Sequence, residues 1–141
     1  MTTKVLQPPG WTEPKGYANG VAVSQARGTH IFVAGQIGWN AQCTFDSDDL
    51  VDQVRQPLAN IVAVLGEAGA APRHIVRMTW YLTDKREYLA RAREIGRAYR
   101  ELIGHYGVAM SAVQVAALME DRAKVEIEVT AVIPDPPGSP G

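Results

Sequence analysis

The run Val125-Glu126-Ile127-Glu128-Val129-Thr130-Ala131 places apolar and polar residues alternately, and Ile133 extends the apolar set. Side chains that alternate with period two share a face only in an extended strand, so this stretch predicts a strand with one buried face. A second β-prone run begins at Met110, and the charged stretch Glu120-Asp121-Arg122 separates the two. Two such runs joined by a short polar turn predict an antiparallel hairpin at the centre of one sheet.

The rest of the chain supplies what packs against that sheet. Residues 1–16 hold Pro8, Pro9 and Pro14 with Gly10 and Gly16, which predicts an extended lead-in with no element of its own. Val21–Gln25 and His30–Ile37 flank Gly28 and predict a first hairpin, with Gly28 free to take positive φ. Leu50, Val54, Leu58, Ile61, Val62 and Leu65 recur at helical spacing behind a Ser47-Asp48-Asp49 cap. Pro57 falls inside this pattern and predicts a kink or a late start, with Gly69 and Pro72 beyond the end. His74 to Thr83 alternates again, and Asp84 with Glu87 forms a capping box for a second helix striped by Tyr88, Ile95, Tyr99, Leu102 and Ile103. Arg86, Arg91, Arg93, Arg97 and Arg100 on that helix read as a solvated face, with Glu87–Arg91 and Arg97–Glu101 paired one turn apart. The tail 134–141 is rich in proline and glycine and is expected to fray.

The predicted order is thus β-β-α-β-α-β-β, an α+β domain over residues 1–141. Two helices cover one face of a five-stranded sheet. The other face, with Glu126, Glu128, Gln114 and Thr79 beside Tyr81, Ala112 and Leu118, is too apolar to stay wet and is expected to meet a partner subunit.

Four segments carry a resemblance: Gly-Tyr-Ala-Asn-Gly-Val at 16–21, Val-Ala-Gly-Gln-Ile at 33–37, Pro-Leu-Ala-Asn-Ile at 57–61 and Val-Glu-Ile-Glu-Val-Thr-Ala-Val at 125–132. In this order and spacing, over Tyr17 to Ile133, the chain resembles the YjgF/RidA family of reactive-intermediate imine and enamine deaminases. The resemblance implies a chorismate-mutase-like fold, a homotrimer and small-molecule pockets between subunits. It matches Tyr17 to the family's pocket tyrosine, Gly35 and Gln36 to its strand-end Gly-Gln, and Glu126 to its last-strand glutamate, the candidate proton-transfer residue. Trp39 follows as a candidate at the cleft mouth, with Met110 and Ser111 on the penultimate strand.

At Met110 the chain departs from the pattern. The family's deaminases carry an arginine there, which fixes the substrate carboxylate for attack by water. A guanidinium offers a carboxylate two parallel hydrogen bonds, and a thioether offers none. Ala34 replaces a small polar residue before Gly-Gln, and Gly96 stands where an asparagine is often found. The resemblance therefore implies a family member without standard 2-aminoacrylate deaminase activity. Its ligand is expected to be bulkier and neutral or aromatic, since a thioether packs well against rings. An altered-substrate deaminase, hydrolytic like its relatives, and a ribonuclease or translation-inhibitor role are the alternatives.

Composition excludes several classes. At 141 residues, 46% hydrophobic and 21% charged, the chain has the balance of an ordinary globular protein. A formal net charge of −1 without a basic block gives no reason to expect nucleic acid or an anionic membrane as partner. Cys43 is the sole cysteine, which forbids an internal disulfide and suits a reducing cytoplasm. No phosphate-cradling loop, dinucleotide fingerprint or HExxH sequence occurs, and His30, His74 and His105 have no metal-site spacing, so no cofactor or metal is expected.

Overall fold

In a computed structural model, residues 3–14, 17–18, 20–23 and 27–134 are described. The elements are β1 (Thr3–Leu6), β2 (Gly20–Val23), β3 (Gly28–Ile37), α1 (Leu50–Glu67), a 3-10 turn at Pro72–His74, β4 (Ile75–Leu82), α2 (Lys85–Ala90), α3 (Ala92–Leu102), β5 (Ala109–Gln114) and β6 (Val125–Pro134). The main sheet has the order β3-β6-β4-β5, and β1 and β2 form a separate two-stranded ribbon.

The alternating run is the internal strand β6, antiparallel to both β3 and β4. Its apolar residues Val125, Ile127, Val129 and Ala131 are buried, and Glu128 is exposed on the opposite face. Each buried aliphatic side chain stabilises the sheet by about 1.5–3 kcal/mol. Opposite them lie Leu50, Val54, Leu58, Ile61 and Leu65 of α1, all at most 2% exposed, which form one core with Met78, Trp80 and Leu82 of β4. The Asp49 carboxylate caps α1 by accepting from the backbone N–H groups of Val51 and Asp52. The helix starts at Leu50 and runs through buried Pro57, which excludes a late start.

The strand partners differ from the sequence expectation. Met110 to Ile133 is not a hairpin: β5 pairs parallel with β4, and β4 lies between β5 and β6. A turn does form where the charged residues stand, closed by Ala123 N–H donating to Glu120 O, but residues 115–124 carry the chain across the end of β4. Buried Gln53 fastens this crossing to α1. Its amide donates to the carbonyls of Ser47 (3.1 Å) and Arg122 (3.0 Å), and its oxygen accepts from Lys124 N–H (2.8 Å). A loop of that length can step over a strand roughly 5 Å wide, which a tight turn cannot.

The first hairpin is likewise replaced. β2 pairs with β1, so the lead-in contains a strand, and β3 pairs with β6. Gly28 does take positive φ (136°), at the first residue of β3. The main sheet accordingly has four strands in place of five. The second helix is divided at Arg91, which ends α2 and precedes α3. Its guanidinium binds Glu94 (2.8 Å) and the capping carboxylate Asp49 (2.9 Å), while Glu87 pairs with Lys124 and Glu101 with Arg55. The one-turn pairs expected within the helix are therefore replaced by bonds that mostly tie different elements together. Pro134 ends β6, and the expected fraying of the tail beyond it lies outside the described residues.

Candidate functional site

Between the β4–β5 edge and α2–α3 opens a groove of about 700 Å³. Met110 and Ala112 line it from β5, on the helix-covered face of the sheet, and Met110 packs partly into the main core. Trp80 of β4 stands behind them, tilted between Tyr88 of α2 (ring centroids 6.2 Å apart) and Tyr99 of α3 (6.3 Å). Tyr17 closes one side. The segment that carries it is pinned to the sheet edge by Ala18 N–H donating to Val108 O (2.9 Å) and by a bridge between Ala18 and Ala109.

Two buried polar atoms of the lining residues have no partner. Trp80 is 2% exposed and its indole N–H has no acceptor; the Tyr99 hydroxyl is also buried without a partner. Burial pushes the Tyr99 hydroxyl up to about 12 and raises that of Tyr88, so both stay neutral at physiological pH. Arg100 and His105 line the groove from α3 and the turn after it. None of the described lining residues is acidic.

The remaining sequence candidates lie elsewhere. Ser111 is exposed on the sheet's other face, in register with Thr79. Glu126 shares that face with Tyr81 and Glu128, whose side chains bond to each other at 2.6 Å. Gly35 sits at a bulge in β3 directly against Glu126: a Cβ there would come 2.6 Å from the carboxylate carbon, so a larger residue would displace the Glu126 side chain. Gln36 follows, its amide donating to Ala34 O at 3.2 Å. Trp39 does not line the groove; it packs on Phe45 in a smaller cluster with Ile37 and Ala123.

The set thus divides in two. Tyr17 and Met110 meet in the groove, whereas Gly35, Gln36 and Glu126 gather where β3 meets β6. Met110 lies beside Met78 and Glu126 beside Tyr81, with β4 between them, so their backbones are roughly 14 Å apart and on opposite faces. Sequence reading placed Tyr99 in the apolar stripe and Arg100 on the solvated face, both of which hold, but gave no sign that they border one groove. The one available signal was the four-residue spacing of Gly96 and Arg100, which stacks them on one helix face.

The family model described as endoribonuclease L-PSP matches residues 12–133. A RutC family protein of Synechocystis is 33% identical over 95% of this chain and 99% of its own length. The chain belongs to the YjgF/RidA family. Among solved structures, the Rid family protein YyfB of Yersinia pestis superposes with a TM-score of 0.80 at 31% identity, covering 94% of this chain and all of the other. TdcF of Escherichia coli with bound serine superposes at 0.65 and 30% identity, covering 92% and 98%. TdcF, a proposed reactive intermediate deaminase, is 32% identical over 74% of this chain and 80% of its own length. The mixed α and β architecture is therefore that of the YjgF/RidA family, in this chain with an aromatic groove floored by Met110.

Proposed function

We propose that this chain is a YjgF/RidA protein that works as a cytoplasmic homotrimer, built from a single domain, with a small-molecule pocket at each subunit interface and without standard 2-aminoacrylate deaminase activity. The observation that carries this is Met110 on the floor of the groove beside Tyr17, where the family resemblance calls for an arginine. A thioether there leaves a substrate carboxylate without its two-pronged partner. Glu126 and Gly35 lie on the far face of the same sheet, so one ligand can touch both sets only if a second copy covers that face. Phe32, 76% exposed on it, and the Tyr81–Glu128 pair give such a contact both apolar area and polar register.

Hydrolysis of the imine generated from serine or alanine is the test, read beside light scattering coupled to size exclusion. A lost charged contact costs on the order of 2–5 kcal/mol, tens to thousands in rate if it acts in the transition state. We expect background turnover by the wild type, partial recovery in Met110→Arg, and a trimer in solution. Robust wild-type turnover or a monomer at micromolar concentration overturns the reading.

A second reading, an imine deaminase with an altered substrate, draws on the TdcF likeness and on the partly exposed Glu126 carboxylate as proton carrier. The ribonuclease alternative rests on the family model's descriptive name alone.

A further inference from the structure

Arg100 lies one helical turn after Gly96 on α3, and helical side chains lean back toward the preceding turn. Here the lean is complete enough that a Cβ on Gly96 would sit 3.1 Å from Arg100 Nη1. The bare backbone at Gly96 leaves room for the guanidinium to lie along the helix, where an added methyl would crowd it. Among the described residues no carboxylate pairs with it, in contrast to Arg55, Arg91 and Arg122. Arg100 is solvent-exposed and borders the groove, and its charge is not neutralised by any described carboxylate.

We infer that Arg100 is the anion-anchoring residue of this groove and that the ligand is a carboxylate carried on a planar, ring-sized body. The inference rests on the reading above that the groove is the ligand site. Four further features point to the same class. The indole N–H of Trp80 and the hydroxyl of Tyr99 are donors that lack acceptors, and a buried donor left unpaired is costly until an acceptor reaches it. No described residue of the lining carries a competing carboxylate. Its walls are rings (Trp80, Tyr88, Tyr99 and Tyr106) and its floor is a thioether, surfaces that reward stacking of a flat apolar body. A volume of about 700 Å³ also exceeds what a three-carbon acid needs. The cation lost at Met110 is thus regained from the helix wall opposite, displaced from where a small imino acid would be held. Aromatic bulk matches the sequence expectation; the charge does not, because Arg100, solvent-exposed as the sequence implied, also borders the groove.

The purified full-length protein is titrated by calorimetry with 3-phenylpropionate, its uncharged amide and pyruvate. Binding is located by the carbon-labelled methionine methyl resonances, Met110 reporting the groove and Met119, 96% exposed, serving as control. Phenylpropionate is expected to bind about tenfold or more tighter than the amide or pyruvate, to shift Met110 and to lose that preference in Arg100→Gln or at high salt. Equal affinity for acid and amide, or an acid affinity unchanged in Arg100→Gln, overturns the role of Arg100 and leaves the groove as a site. Failure of every probe to shift Met110 at millimolar concentration overturns the ligand-site reading and this inference with it.

Discussion

Met110 and Ser111 are neighbours in β5, yet the pleat sends them into different environments. Met110 enters a groove of rings and unpaired donors beside Arg100, whereas Ser111 lies on the face that carries Tyr81, Glu126 and Glu128. The sheet is only one side chain thick on each face, and it separates Arg100 from Glu126 and Glu128, which share their face with Arg77 of β4. Had β6 slipped by one residue, its glutamates would have moved to the helix side. The comparison shows how one strand pair can present a cation-bearing, apolar site on one face and an acidic, hydrogen-bonded surface on the other. It also shows why Met110 and Glu126, matched to the family's site by resemblance alone, do not meet within one chain.

The largest expected effect tests the acidic face. In the trimer proposed above, Phe32→Asp would bury a charge at each of the three interfaces, at several kcal/mol apiece, and should leave monomers by light scattering. A variant that stays trimeric would place the interface elsewhere. Across the sheet, Trp80→Ala removes a fully buried ring from the groove wall and should cost about 3–5 kcal/mol in urea unfolding. Trp80→Phe should cost far less, because it also removes an unpaired N–H.

Gly96→Ala sharpens the electrostatic half of the contrast. Alanine is the better helix residue, so stability should rise by about 0.5–1 kcal/mol in thermal unfolding. The new methyl presses on Nη1 of Arg100, and affinity for phenylpropionate should fall a few-fold; a rise would mean that the guanidinium is not held there. The smallest effect concerns the clasp that orients the groove's helices. Hydrogen bonding from Arg91 holds the Asp49 carboxyl below its usual 3.8. A carboxyl depressed on folding stabilises the native state above its unfolded value and loses that contribution as pH falls through the folded one. Asp49 is 41% exposed in this pair, so screening limits the pair to less than ~1 kcal/mol. Asp49→Asn keeps a capping side chain. The variant should lie slightly below wild type in unfolding midpoint at pH 7 and converge on it as pH falls below 3.8, and a gap that does not narrow in acid would refute the charge account.

The sequence by itself determined the alternation that buries β6, the stripe and Asp49 cap of α1, the Asp84 cap of α2 and the family resemblance. Each depends on residues close together in the chain, where period and hydrogen-bonding groups act directly. It did not determine strand partners: alternation says that one face is buried but not which neighbour supplies the hydrogen bonds, so the runs around 120–122 suggested a hairpin where β4 in fact intervenes. Nor did it show the break at Arg91, whose guanidinium pairs with the capping Asp49 forty-two residues earlier. Only the tertiary structure brought Trp80, Tyr99, Arg100 and Met110 together. Their meeting depends on the crossing beyond β5 and on the seat of α3, both set by packing between segments far apart in sequence.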